Sequence, residues 1–231
     1  MAADMLTLRA AGENSLIVYL GDSSDPAVNA RVQAAVAALT DALGADLVDL
    51  VPSYASILVV YRTFGPGFAV TARRIRRALD SLAPQDSSGG RSITLPVYYA
   101  PESGADLEAL ANRARLSVDE VIDIHSGVEY RVYAIGFAPG FAYLGDVDPR
   151  IAAPRLATPR KVVPRGAVAI ADRQTAVYPA RSPGGWNLIG RCPVKLFDPR
   201  ATPPMSVSVG DTIRFEPVNR DHYLSLGGKL E

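Results

Sequence analysis

Apolar positions along the first hundred residues switch between strand-like runs and helical spacing. Ser15–Leu20 is a short, β-prone apolar run. From Pro26 to Leu43 the side chains of Val28, Val32, Ala35, Val36 and Leu39 recur on one helical face, and Gly44 supplies a stop. Leu47–Val51 and Ser56–Arg62 read as two strands joined by a turn around Pro52. Thr71–Leu82 reads as a second helix, basic on one face through Arg73, Arg74, Arg76 and Arg77, whose charges are expected to be simply solvated. Ile93–Tyr99 returns as a strand. This β-α-β-β-α-β order predicts a ferredoxin-like α+β domain over residues 1–90.

Pro84–Gly90 is the best candidate for a linker or exposed loop. A helical pair follows over 106–125: Asp106–Arg115, then a helix opened by a Ser117/Glu120 capping box that runs toward Ile124 and ends near Gly127. From Glu129 onward the texture changes. Eleven of the 18 prolines lie between Gly136 and Pro204 and separate the short apolar runs Tyr130–Ile135, Ala167–Ala171, Ala176–Tyr178, Val194–Phe197 and Thr212–Phe215. Short strands punctuated in this way predict an all-β barrel or sandwich, so residues 91–231 form a second domain that includes the helical pair. Asn219–Glu231 reads as a loosely held tail.

Composition narrows the class. The chain has 231 residues and a formal net charge of zero, which argues against a generally basic nucleic-acid binder. One cysteine excludes an internal disulfide. Met1–Leu20 contains Asp4 and Glu13 and no sustained apolar core, unlike a secretory signal. No run approaches the roughly 18 apolar residues of a membrane span, and the expected location is the cytoplasm. The neutral total hides an imbalance. Between Pro149 and Phe197 the only acid is Asp172, against nine bases that include Arg155, Arg160, Arg165, Arg173, Arg181 and Arg191. Glu102–Glu129 holds seven acids and two arginines. The basic stretch is either a solvated cationic face or a set of arginines converging on a small anion or a partner.

Two loops carry the densest local signal. Gly136–Gly145 and Ser182–Trp186 combine glycine, proline and aromatic rings at a density that regular elements do not tolerate, which suggests a stiff pocket rim. His125 and His222 with the single Cys192 match no metal-ligand spacing, so no metal is expected. There is no phosphate-binding loop and no nucleophile elbow. Cys192 reads as a small core residue. His125, at the end of an amphipathic helix, is either a dipole-compensating histidine or an acid/base group. Ser182 is a hydroxyl that could react, bind or cap a turn. Gln174 offers an amide suited to a lactam, or belongs to a hairpin turn, and Tyr178 and Trp186 are apolar walls or plain core.

Together these segments resemble one family. The motifs are His125-Ser126, Glu129–Tyr133, Gly136–Gly145, Ala157-Thr158-Pro159-Arg160, Val163–Val168, Gln174, Tyr178 and Ser182–Arg191, and the family is allophanate hydrolase subunit 1, also called KipI or the 5-oxoprolinase B subunit. The resemblance implies a cyclophilin-like β-barrel after the N-terminal α+β domain. It further implies a second cyclophilin-like subunit (of the type of the 5-oxoprolinase C subunit or allophanate hydrolase subunit 2) and a large ATP-using subunit, with no cofactor held by this chain. The implied reaction is ATP-dependent opening of 5-oxoproline to glutamate, by a hydrolase subunit inactive without its partners. Inhibition of a sensor histidine kinase and the carboxyltransferase half of a biotin-dependent urea carboxylase are the alternatives. The implied site has His125, Arg160 and Ser182 as catalytic residues and Phe137, Pro139, Gln174, Tyr178, Gly184, Gly185 and Trp186 around the substrate. One stretch departs from the family pattern: Tyr98–Leu107 lacks the glycine pair that usually precedes the helical pair.

Overall fold

The structure is a computed structural model that describes residues 6–23, 25–80, 82 and 90–230. The chain divides into two compact units between residues 89 and 90. Apart from Gly90, the expected linker at 84–90 lies outside the described residues.

In the first unit, β1 (Thr7–Gly12) and β2 (Ser15–Tyr19) form a hairpin. They are followed by α1 (Pro26–Leu43), β3 (Leu47–Pro52), β4 (Ser56–Tyr61) and α2 (Gly67–Asp80). Asp25 caps α1 by accepting from the Ala27 amide at 2.7 Å, and Pro26 sits where a missing N–H costs nothing. The sheet runs β1-β2-β4-β3 and is antiparallel throughout. Leu16 and Val18 of β2 and Ile57, Val59 and Tyr61 of β4 pack against Val32, Ala35 and Leu39 of α1 and Ile75 and Leu79 of α2. The expected β-α-β-β-α-β order is therefore corrected to ββαββα, because the strand assigned as its last member pairs in the second unit. Arg74 is not simply solvated. Its guanidinium donates to the carbonyls of Ala42 and Leu43 at the end of α1 and pairs with Asp46 at 2.6 Å.

In the second unit, β5 (Ser92–Val97) leads through a loop to α3 (Leu107–Ala114) and α4 (Val118–Ser126). The remaining elements are β6 (Glu129–Ile135), β7 (Ala142–Gly145), β8 (Arg160–Val163), β9 (Ala167–Ala171), β10 (Gln174–Val177), β11 (Ser182–Gly184), β12 (Asn187–Arg191), β13 (Thr212–Pro217) and α5 (Arg220–Ser225). Seven strands form one sheet in the order β12-β9-β10-β7-β6-β13-β5, and β8 and β11 form a separate ribbon. The two edges of the large sheet meet: Tyr98, just after β5, exchanges both backbone hydrogen bonds with Arg191 of β12 at 2.9 Å. The result is a nearly closed barrel. Its strand β9 is buried on both faces, with Val168 and Ile170 in the main core and Ala167, Ala169 and Ala171 beneath an aromatic cluster.

Two expectations change here. Val194–Phe197 forms no strand, and only Phe197 makes an isolated bridge, to Met205. The expected loose tail contains α5, capped by Asn219, with Tyr223 buried and stacked on Tyr98 at 5.7 Å.

The loop over 98–107 closes the barrel. Ser103 Oγ donates to the Tyr98 carbonyl at 2.7 Å, and Asp106 exchanges backbone and side-chain hydrogen bonds with Leu188. Gly104 lies so close to β12 that a Cβ there would overlap the backbone of Ile189. Gly104→Ala is therefore expected to lower stability by about 1–3 kcal/mol, read as a reduced urea midpoint with an unchanged m-value. An unchanged midpoint would show that the seam tolerates a side chain.

Candidate functional site

The two loops singled out in the sequence converge on one cavity of about 180 Å³. Its walls are Phe137, Phe141, Tyr143, Tyr178 and Trp186, with Arg155 at the rim. Phe141 is the hub: its ring makes edge contacts with Tyr143 (4.9 Å), Phe137 (5.1 Å), Tyr178 (5.3 Å) and Trp186 (5.6 Å). These T-shaped pairs lock the rings relative to one another. The small alanines of β9 leave room beneath them for rings that large.

Phe137 is held by the β6–β7 loop, which is tied across itself by Gly136 N–H to Phe141 O and Phe141 N–H to Ala138 O. Phe137 adopts a φ of 67° and stays 61% exposed, so a large aromatic ring stands in the left-handed region at the cavity mouth. Backbone strain of this kind concentrates at sites where surrounding structure enforces it. Gly184 is required by close approach, since a Cβ there would strike the Tyr178 phenol. Burial raises the pKa of that phenol, so Tyr178 stays protonated near neutrality.

Arg155 was only one basic residue among nine in the sequence. The structure brings its guanidinium to 5.9 Å from the centre of the Trp186 ring. Its segment is fixed by Asn187 Nδ2 donating to the Pro154 carbonyl at 3.0 Å and by Leu156 N–H donating to Gly185 O at 2.7 Å. No carboxylate among the described residues pairs with it. The sequence signal was a cation in Ala153-Pro154-Arg155-Leu156, a proline-interrupted run with no strand or helix period.

Of the expected site residues, Phe137, Tyr178, Gly184, Gly185 and Trp186 line the cavity, and the others do not. Pro139 is exposed in the β6–β7 loop beside it. Gln174 starts β10 opposite Gly145 and Ala171 and does not line the cavity. Ser182 sits in the β8–β11 ribbon with its Oγ buried and without a hydrogen-bond partner. Arg160 is ion-paired with Asp106 at 2.6 Å, which satisfies the charge expected to hold an anion.

His125 differs most from expectation. It is fully buried, stacked on Phe215 at 4.7 Å, with both ring nitrogens engaged. Thr175 Oγ1 donates to the Ala169 carbonyl and so accepts from His125 Nε2 at 2.9 Å. Burial lowers the ring's pKa to about 3, so the ring is neutral and its Nδ1 accepts from the Tyr99 hydroxyl at 2.8 Å. A neutral, fully partnered histidine that does not line the cavity joins α4 to the sheet. In the 98–107 stretch, Tyr98 lies in the barrel seam and Tyr99 on His125.

The fold and cavity define a class, a nearly closed β-barrel protein with a small aromatic site on one face. The family described as carboxyltransferase domain, subdomain C and D, matches residues 6–207, and the chain belongs to it. A Bacillus subtilis (strain 168) relative, named as the B subunit of 5-oxoprolinase, is 37% identical over 222 residues, covering 92% of each chain. The crystal structure of TTHA0988 superposes with a TM-score of 0.79 at 35% identity over 92% of this chain, which spans 40% of that protein. The Kluyveromyces lactis urea amidolyase shares the fold, with a TM-score of 0.76 at 18% identity over 95% of this chain and 15% of its own.

The His125 geometry has a pH signature. Its folded pKa lies below its unfolded value near 6.5, so the unfolded chain takes up the proton first as pH falls. The contribution is complete above pH 6.5 and is lost progressively toward pH 3. Between pH 6.5 and 5 the loss is about 2 kcal/mol. Urea unfolding at both pH values should show this loss in the wild type and a smaller one in His125→Gln. Equal losses would remove His125 as the titrating group.

Proposed function

We propose that this chain is the B subunit of a 5-oxoprolinase-type hydrolase complex, in which the aromatic cavity holds the substrate for ring opening. The observation that carries the reading is the cavity itself. It presents apolar ring faces and one unpaired guanidinium, and the Bacillus subtilis relative of nearly equal length is named for this activity. 5-Oxoproline is a small, nearly flat lactam with a single carboxylate. Its ring faces suit Trp186, Tyr178 and Phe141, its carboxylate suits Arg155, and the Tyr178 hydroxyl is a neutral donor beside it.

Ring opening needs an attacking water, a base for its proton and an acid for the departing amide nitrogen. The cavity lining contains no histidine, carboxylate or thiol, and burial raises the pKa of its Tyr178 phenol. This chain accordingly binds and orients, and the partner subunits supply the proton-transferring groups. ATP use by a large subunit and pairing with a second cyclophilin-like subunit belong to the same reading, as do a cytoplasmic location and inactivity of the isolated chain. The barrel is read as cyclophilin-like, and residues 1–90 and 91–231 as separate domains. Among the described residues no helix is long and apolar enough to cross a membrane.

The carboxyltransferase alternative rests on the family description and on a likeness to the urea amidolyase that extends to fold alone. Co-expression with the partner subunits and assay of ATP-dependent glutamate release from 5-oxoproline separates the two readings. Release is expected from the assembled complex and not from this chain alone, and a complex with no release would overturn the proposal. Arg155→Gln should raise KM about 10- to 100-fold, through loss of a charge-assisted hydrogen bond worth roughly 1.5–3 kcal/mol. An unchanged KM would remove Arg155 from the site.

A further inference from the structure

A second cavity, of about 590 Å³, opens at the other end of the β8–β11 ribbon. Arg165 follows β8, Arg181 precedes β11, and Arg191 ends β12, and all three line it together with Lys229. Backbone geometry forces the convergence. Cys192 N–H donates to Gly166 O at 2.7 Å, and Gly166 has a φ of 81° at a point where a Cβ would overlap the Cys192 carbonyl. The residues just before Gly166 and Cys192 are Arg165 and Arg191.

No carboxylate lines this cavity, and among the described residues none pairs with any of the three arginines. Arg191 is 6% exposed. One end of its guanidinium donates to the Lys229 carbonyl at 2.9 Å, while its Nε–H is buried and has no partner. A buried guanidinium without a counter-charge is costly, and an unmade charge-assisted hydrogen bond adds to that cost. The neighbouring groups do not compensate. Burial pushes the Cys192 thiol up to about 12, and burial also raises the Tyr223 phenol. Among the described residues, the wall therefore carries the four cationic side chains Arg165, Arg181, Arg191 and Lys229 and no carboxylate.

We propose that this cavity binds a phosphate group, free or carried on a small ester. A carboxylate would offset one of the charges; a phosphate dianion offsets two and offers three acceptor oxygens to forked guanidinium donors. The volume leaves space for an organic portion next to the anion. The site is separate from the aromatic cavity, and its test needs no turnover, so it stands or falls independently of the reaction proposed above.

Calorimetric titration of the full chain with inorganic phosphate and with ribose 5-phosphate, at fixed ionic strength with chloride as the balancing salt, tests it. Saturable one-site binding of at least one of them is expected, with a Kd below about 1 mM. Tenfold tighter binding of the ester would identify an esterified ligand, and equal or weaker ester binding would identify free phosphate. Arg165→Gln and Arg181→Gln, at exposed positions, should each weaken binding about tenfold or more while leaving the unliganded melting temperature unchanged. Absence of saturable binding by both ligands would overturn the proposal, as would variants that bind like the wild type.

Discussion

The seam where β5 meets β12 is the contact on which the second unit depends. β5 is otherwise an edge strand, hydrogen-bonded on one side to β13 in parallel register, and an unpaired edge leaves a row of backbone donors and acceptors exposed. The Tyr98–Arg191 exchange closes that row, and Asp106 extends it. One carboxylate oxygen of Asp106 takes the Leu188 amide at 2.7 Å and the other takes Arg160 at 2.6 Å. A single side chain thus ties the helical pair to β12 and to the β8–β11 ribbon. Trp186 and Asn187 enter β12 just before Leu188, and Asn187 holds the segment that presents Arg155. The position of the guanidinium at the aromatic cavity therefore depends on a carboxylate at the start of α3.

Features set by local chemistry were legible in the sequence, and features set by distant pairing were not. α1 was readable because Val32, Ala35 and Leu39 must share one face and Pro26 and Gly44 mark its limits. β1 carried no signal because most of its residues are exposed on a sheet edge, where nothing imposes alternation. β5 was readable as a strand but not in its placement, since its partner β13 begins 120 residues later. The aromatic–glycine loops announced a rim because ring packing and close approach leave a local imprint at Phe137, Gly184 and Trp186. His125 and Arg160 were legible as chemistry, and their surroundings were not. What decides them is Tyr99 and Thr175, 26 and 50 residues away, and Asp106, 54 residues away.

The charge imbalance along the chain gains a meaning in three dimensions. Asp106, from the acidic stretch, neutralises Arg160, from the basic one. Other bases are matched locally, as Arg150 is by Asp148 and Lys195 by Asp198. Among the described residues Arg155, Arg165, Arg181 and Arg191 pair with no such acid, and they fall at two cavities. Folding thus leaves uncompensated cations where the molecule is concave. Concave cationic surface with low-dielectric walls focuses potential, so these are the places where an anion gains most from binding.

A further consequence concerns what this barrel can do by itself. The aromatic cavity is rigid, since its five rings brace one another and its loops are tied by backbone hydrogen bonds. Rigidity serves orientation, which is worth much in catalysis only when a reacting group is held opposite. The lining holds no histidine, carboxylate or thiol, burial raises its Tyr178 phenol, and the buried His125 lies in the core. The cavity mouth is marked by the exposed Phe137 in its strained conformation, and under the proposed function it is the face toward which a partner's acid and base would be presented. In the complex proposed above, this chain contributes binding and orientation, and a second protein surface over that ring contributes the proton transfer.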